Sequence, residues 1–177
     1  MKGLIALFTL FITCNVASQG KAASTQIDDV RIAINRSANY LMKNTKADGM
    51  FEYRINLNPA INVKEKYNIL RHAGAMYAMS MYYQLHPDDN MRSAVKRAGN
   101  YLRDEAIDTL PGKENMLAVL SKPHDSQGDE PLQAKLGGTG LGLVALLSLE
   151  NISPGSTPFA DLSKLGQFLV YMQREDG

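Results

Sequence analysis

The side chains that could do chemistry in this chain gather at the start of one apolar stretch, Tyr67–Leu85. Asn68, Arg71 and His72 lie in the first turns of the helix that this stretch predicts. An arginine binds a carboxylate or phosphate through two oxygens at once, and a histidine can transfer a proton near neutral pH. Asn68 can share a helix face with either residue, but adjacent Arg71 and His72 cannot point the same way. The pattern predicts a site for an anionic ligand, and a core histidine held by hydrogen bonds is the alternative for His72.

Further candidates come from two long connections, residues 46–66 and 108–134, which both lead to the start of an apolar helix. Free N–H groups and the positive dipole end at such a start favour anions, and long loops in a compact fold are usually functional or disordered. Catalytic roles are predicted for His72, Glu52, Tyr53 and Tyr67, and substrate-binding roles for Arg71, Asn68, Asp125 and Lys135. Arg54 and His124 are further candidates in the same connections.

Two of these candidates, Glu52 and Asp125, would be the pair of carboxylates that sugar chemistry needs, although loop carboxylates are usually solvated. His124 and Asp125 make only a weak metal pair. We expect no metal and no cofactor.

Composition narrows the possible partners. The chain has 177 residues, a net charge of +1 and 45% hydrophobic residues, which is typical of one folded domain and excludes a disordered chain. No basic stripe is present in the sequence, so we expect no nucleic-acid partner. The sequence makes no prediction of oligomeric state.

The N-terminal segment has the pattern of a secretory signal peptide. Lys2 is followed by the apolar run Leu4–Val16 and then by small residues, and the run is too short for a permanent membrane helix. We predict a signal peptide at residues 1–23, cleaved after Ala23 or alternatively after Ser18, and a periplasmic or secreted protein with no stable membrane span. A membrane anchor or a lipoprotein signal at Cys14 are the alternatives. Either ordinary cleavage removes Cys14, which is the chain's one cysteine, and so excludes disulfides, zinc–thiolate sites and a cysteine nucleophile.

The elements that must position the candidates are predicted to be helices of two kinds. Some have one apolar stripe facing a core, and others are apolar nearly all round and should be buried. The first kind covers residues 27–44, 91–103 and 159–173, and the second covers Tyr67–Leu85 and Leu136–Glu150. Residues 51–57 alternate as a short extended segment, and Met116–Leu120 is interpreted as a short strand or helical turn.

These elements repeat along the chain. Arg36–Leu41 is similar to Arg97–Leu102, 61 residues later, and Asn100–Leu102 is similar to Gln167–Leu169, 67 residues later. The repeated unit is an outer amphipathic helix, a long loop, an inner apolar helix and a short loop. A fixed period of this size indicates a repeat architecture.

With the Asp-Gly that follows the outer helix at Asp48-Gly49 and again at Asp176-Gly177, the pattern resembles the α/α-toroid superfamily. That superfamily includes six-hairpin glycosidases, α/α polysaccharide lyases and epimerases, and terpenoid cyclase-like proteins. The resemblance covers residues 25–177 and rests on the repeat, without a diagnostic catalytic motif. It implies an all-α fold of repeated αα-hairpins, with residues 24–177 as about two and a half hairpins at the N-terminal part of an incomplete toroid. A complete small helical bundle is the alternative.

The resemblance also implies a function. The chain has no tryptophan, no acidic cyclase motif and, after cleavage, no cysteine, which argues against the terpene cyclase, lanthionine cyclase and prenyltransferase branches. What remains is an exported protein acting on a poly- or oligosaccharide, neutral or anionic, as a hydrolase, lyase or epimerase, with Arg71 holding a uronate or similar anionic group. The alternative is a non-catalytic periplasmic helical-repeat binding or scaffold protein, in which the polar residues of the inner helices are structural.

Overall fold

The structure is a computed structural model that describes residues 26–58, 60–61, 67–121 and 131–175. The predicted signal peptide, His124 and Asp125 lie outside the described residues. The internal contacts divide the chain into two compact units at Asn39/Tyr40, and each unit is described by itself.

Residues 26–43 are helical (α1), and residues 26–39 of this helix are the described part of the first unit. Its turns carry local hydrogen bonds, such as that from Ser37 Oγ to the Ala33 carbonyl at 2.8 Å. The sequence predicts a buried apolar stripe here, but Ile27, Val30 and Ile34 are each about half exposed. The prediction of burial is therefore wrong for this part of the stripe.

The described part of the second unit contains, besides the end of α1, four helices that begin where the sequence offers caps or extended residues. Asn68 and Asp88 adopt extended backbone and their side chains accept hydrogen bonds from the amides of Arg71 and Met91, at 3.0 and 2.8 Å. Such N-caps satisfy amides that the first helical turn leaves unpaired. The four helices are α2 (Ile69–Leu85), α3 (Asp89–Ala106), α4 (Leu136–Ile152) and α5 (Phe159–Met172).

The core lies where α2 packs against α4 and α3, and α4 against α5. Met76, Leu146 and Leu149 are fully buried there, and burial of such side chains contributes about 1.5–3 kcal/mol each. Gly99 of α3 leaves the space that the Leu149 side chain occupies. Helices α2 and α4 are thus neighbours, as the two apolar stretches require.

One stripe of each apolar helix faces solvent, however. Leu70 and Met81 of α2 are nearly half exposed, and so are Val144 and Leu147 of α4. The prediction that these helices are buried on nearly every face is therefore wrong. Among the described residues, no helix is long and apolar enough to cross a membrane.

A three-stranded antiparallel sheet occupies the long connection after α3, with strands in the order β1–β2–β3. The register pairs Ile107 with Val119 and Leu120 with Ala134, and Gly112, at φ 73°, turns the chain between the first two strands. The strands are β1 (Ile107–Leu110), β2 (Lys113–Ser121) and β3 (Gln133–Ala134). The all-α fold class of repeated hairpins is therefore wrong, because the described chain combines helices with a sheet.

Met116–Leu120, interpreted as a short strand or helical turn, lies in β2, but the sequence pattern did not predict a sheet because β2 has helices on more than one side. Strand β2 contacts both α4 and α5, so Ala118 and Val119 are buried although they are consecutive residues. A strand with one wet face alternates apolar and polar residues, and this strand has no such alternation. Gly142 of α4 admits the strand, since a Cβ at this position would lie 2.7 Å from Val119 Cγ2.

Candidate functional site

The turn after α1 is fixed to α3 by its backbone. Gly49 has φ 93° and lies so close to the Arg97 carbonyl that a Cβ at this position would overlap it. The Arg97 guanidinium donates from Nε to the Lys46 carbonyl at 3.1 Å, and Asp48 Oδ1 accepts from the Met50 amide at 2.9 Å. This turn delivers the following residues, 51–53, to the start of α2.

A line of three hydrogen bonds joins this segment to α2 and α3. His72 Nε2 lies 2.8 Å from the Ala98 carbonyl, which only accepts, so Nε2 carries the proton. Nδ1 of the neutral ring then accepts from the Tyr67 hydroxyl at 2.6 Å, and the Tyr67 oxygen accepts from the Phe51 amide at 2.9 Å. Both nitrogens of His72 are therefore engaged by groups of the protein.

Aromatic rings enclose His72 on several sides. The ring centroids of Phe51, Tyr101 and Tyr67 lie 5.0, 5.2 and 5.9 Å from the imidazole centroid, and His72 is 2% exposed. Burial lowers the pKa of His72, against the opposing effect of the Ala98 carbonyl. Burial also raises the pKa of Tyr67 to about 12. Both groups are consequently neutral at pH 7.

At the surface, Tyr53 meets two arginines. Arg71 Nη1 donates to the Tyr53 hydroxyl at 2.7 Å, and the Arg71 and Arg54 guanidinium carbons lie 5.6 and 5.7 Å from the centroid of the Tyr53 ring. Such distances place both cations within range of the π-system. An open groove of about 610 Å³ begins beside this cluster and is lined by Tyr53, Arg54, Ile55, Asn56 and Leu57. We call Tyr53, Arg54 and Arg71 the arginine–tyrosine cluster.

The cluster carries positive charge without a neutralising carboxylate among the described residues. The ion pairs in that part of the chain are Arg31–Asp28, Lys46–Glu52 and Arg103–Asp104, so neither Arg54 nor Arg71 belongs to one. Both arginines are exposed. Two guanidiniums beside an aromatic ring, with no ion-pair partner in the described ranges, favour a ligand with negative charge and a flat face.

The predicted site residues thus separate into three groups. Tyr53 and Arg71 meet at the surface, and Tyr67 and His72 meet in the interior. Glu52 turns instead to Lys46, with 3.3 Å between Oε2 and Nζ.

The remaining predicted residues have other positions. Asn68 caps α2, and exposed Lys135 precedes α4 without a side-chain cap. Asp125 lies outside the described residues. No group of three or more His, Cys, Asp or Glu residues that could hold a metal occurs in the described ranges.

Two of the residues that enclose His72, Phe51 and Tyr101, were not predicted as site residues. Both occur at positions where the sequence pattern indicates ordinary core, and an aromatic side chain at such spacing is usually core. The similarity of the segments that contain Tyr40 and Tyr101 was the one available signal, and it indicates an equivalent position in a repeat rather than a contact with His72.

Comparison with protein-family models, curated proteins and solved structures finds no match to this chain. The function is therefore inferred from the geometry of the arginine–tyrosine cluster and the enclosed histidine.

Proposed function

We propose that this protein is an exported, non-catalytic binding protein for acidic poly- or oligosaccharides. The observation that carries the proposal is the arginine–tyrosine cluster, in which Arg71 and Arg54 approach the Tyr53 ring at an open groove. Export is supported by the signal-peptide pattern of residues 1–23.

A uronic acid residue suits this cluster chemically. Its carboxylate can bind the planar fork of an arginine through two oxygens, and the apolar face of its ring can pack on a tyrosine. The groove is open to solvent and is lined by Ile55, Asn56 and Leu57 beside the cluster, so an oligosaccharide has access to it. The absence of an ion-paired carboxylate on either arginine, among the described residues, leaves both free to act on the ligand.

Binding without catalysis is favoured by the groups around the cluster. A histidine that transfers protons needs a ring nitrogen within hydrogen-bond reach of the substrate. His72 uses Nε2 on the Ala98 carbonyl and Nδ1 on Tyr67, and Glu52 is paired with Lys46. These groups do not converge on the arginine–tyrosine cluster.

A second candidate function is an enzyme, a hydrolase, lyase or epimerase acting on the same class of glycan. The observation that favours it is the hydrogen bond of 2.7 Å between Arg71 and the Tyr53 hydroxyl. An arginine can hold a uronate while a neighbouring phenol oxygen transfers a proton. Tyr53 would then be the reacting group, with His72 as a structural residue.

The test is calorimetric titration with oligogalacturonate, using neutral galactose oligomers of the same length as the control ligand. We expect the acidic ligand to bind at least tenfold more tightly, because a hydrogen bond to a charged group contributes about 1.5–3 kcal/mol. Arg71→Gln should lose most of that preference.

The matched control is Arg92→Gln. Arg92 also donates to a tyrosine hydroxyl, that of Tyr83, and its guanidinium carbon lies 5.6 Å from the ring, but this pair does not line the groove. Arg92→Gln should therefore bind like the unmodified protein. Equal affinity for acidic and neutral oligomers would overturn the proposal, and release of shortened or unsaturated sugars would favour the enzyme.

A further inference from the structure

The three hydrogen bonds around Tyr67 have a fixed direction. The Phe51 amide donates to the Tyr67 oxygen, Tyr67 donates to His72 Nδ1, and His72 Nε2 donates to the Ala98 carbonyl. Every donor has one acceptor, and the arrangement needs an imidazole with a single proton. We call this line of bonds the Tyr67–His72 relay.

A second proton on His72 breaks the arrangement. Both ring nitrogens of an imidazolium donate, so the Tyr67 oxygen would face two donors, the Phe51 amide and Nδ1. The Tyr67 hydroxyl would lose its acceptor, and a positive charge would stand on His72, which is 2% exposed. Phe51 and Tyr67 both lie outside the helices, so the bond between them can be released without moving a helix.

We propose that His72 is a positioning residue that orders the segment 51–53, and hence Tyr53, only while its ring is neutral, so that the groove releases its acidic ligand on mild acidification. This inference rests on the proposed function and names a regulation of the same site. The link is short in sequence, since Phe51 lies two residues before Tyr53. Tyr53 is also close to Tyr67 in space, since the centroids of these two rings are 5.7 Å apart.

The charged groups described around the Tyr67–His72 relay do not contact the imidazole, so the protonation of His72 itself is the event that changes the relay. No described carboxylate contacts the imidazole directly. Between Leu136 and Leu149, α4 presents no acidic or basic residue. The elements packed around the enclosure carry these titratable or charged groups: Lys46, Asp48, Glu52 and Tyr53 in the turn and the segment after it, Tyr67 and Arg71 at the start of α2, and Arg97, Tyr101 and Glu105 in α3.

Asp48 and Glu105 act electrostatically on the tyrosines, and burial is the largest influence on His72 and lowers its pKa. Protonation is therefore expected below the ordinary value of 6.5.

The experiment follows two signals on the full chain by NMR between pH 7.5 and 4.5. The first is the ring-nitrogen shift of His72, one of three histidines in the sequence. The second is the hydrogen-exchange protection factor of the Phe51 amide, measured without ligand. We expect the protection factor to fall at least tenfold over the pH range in which His72 is protonated, while helix amides of α3 stay protected.

Ligand binding is then measured by titration with oligogalacturonate at pH 7.5 and 5.0. The carboxylates of this probe stay mostly ionised in that range, since the ring oxygen on the adjacent carbon withdraws electrons and the carboxyl titrates near the value of an α-carboxyl, about 3.5. We expect the affinity to fall at least tenfold at the lower pH. Tyr67→Phe removes the central hydroxyl, so it should bind weakly at both pH values, with no protection of the Phe51 amide at either.

Tyr101→Phe is the matched control, because it removes a hydroxyl from the same enclosure that takes no part in the relay. It should keep both the affinity at pH 7.5 and its loss at pH 5.0. A Phe51 amide that stays protected after His72 is protonated would overturn the inference, and so would an unchanged affinity at pH 5.0. Failure of the probe to bind at pH 7.5 would overturn the proposed function alone. The pH dependence of the Phe51 amide protection would then show whether the Tyr67–His72 relay orders the segment 51–53.

Discussion

At the scale of single residues, Arg71 and His72 are neighbours in the chain with opposite surroundings. A helix turns about 100° between successive residues, so one side chain can face solvent while the next faces the core. Arg71 is exposed and bonds Tyr53, whereas His72 is buried with both nitrogens occupied. The difference assigns ligand binding to the first residue and positioning to the second.

Tyr53→Phe tests what the phenol oxygen contributes. The change keeps the ring that a sugar packs on and removes the atom to which Arg71 donates. A binding protein should lose only a few-fold in affinity for oligogalacturonate, because a single hydrogen bond has a net worth of about 0.5–1.5 kcal/mol. Titration gives the affinity. Tyr53→Ala is the comparison, and it should lose substantially more.

Gly49→Ala tests how the turn before the cluster is held. A side chain there meets the Arg97 carbonyl and requires a backbone conformation that L-residues adopt at a cost of about 1–2 kcal/mol. We expect the free energy of unfolding in urea to fall by more than 2 kcal/mol, about the upper end of that backbone cost alone. Gly112→Ala is the control, since Gly112 also has a positive φ, of 73°, but open space around it. Similar losses in the two variants would mean that the contact with Arg97 has no energetic importance.

At the scale of elements, the sequence predicted where the helices lie, and of the sheet it predicted only Met116–Leu120, as a short strand or helical turn. The apolar stretch Leu136–Glu150 became α4, Leu136–Ile152, because its composition leaves no alternative to burial on at least one side. The full extent of β2 and its pairing with β1 were not predicted, because Ala118 and Val119 are both covered by helices, which removes the alternation that marks a strand.

The candidate site was predictable only in part, and for a similar reason. Arg71 and His72 could be predicted as candidates because an arginine and a histidine are unusual at the start of an apolar helix. The acceptor of His72, however, is the backbone carbonyl of Ala98, 26 residues later, and no side-chain pattern reveals a carbonyl. The partner of Arg71 is a tyrosine 18 residues earlier, brought close by the turn at Gly49.

Gly142→Ala tests the contact between α4 and β2. Alanine is favoured over glycine inside a helix by about 1 kcal/mol, but the new methyl would lie 2.7 Å from Val119 Cγ2. Overpacking of this kind costs about 1–3 kcal/mol, so we expect a net loss of thermal stability. Gly166→Ala in α5 has open space and should gain stability instead. A stabilised Gly142→Ala variant would contradict this expectation and would show that β2 shifts to accommodate the methyl group at little cost.

At the scale of the whole molecule, the enclosed histidine makes stability depend on pH. The pKa of His72 is lowered in the folded state by burial, whereas the unfolded chain has the ordinary value of 6.5. Below pH 6.5 the unfolded state therefore binds more protons than the folded state, and the free energy of unfolding decreases as pH falls. Above pH 6.5 the contribution from this residue is constant.

Urea unfolding between pH 8 and 5 measures this dependence. The midpoint should be flat down to about the unfolded value of 6.5 and should then decrease. His86→Gln removes an exposed histidine and should leave the decrease in place. A His72→Gln variant that still folds should lose it, and persistence of the full decrease there would assign it to another group.

The uncovered stripes of α2 and α4 have a practical consequence for anyone who handles the protein. Leu85 is 78% exposed at the end of α2, and Leu147 on the neighbouring helix is 46% exposed. Solvent-exposed apolar side chains associate with one another and with apolar molecules in solution. A dye that fluoresces in an apolar environment should fluoresce more strongly when it is added to the native protein. Aggregation should increase with protein concentration under conditions in which the protein is still folded.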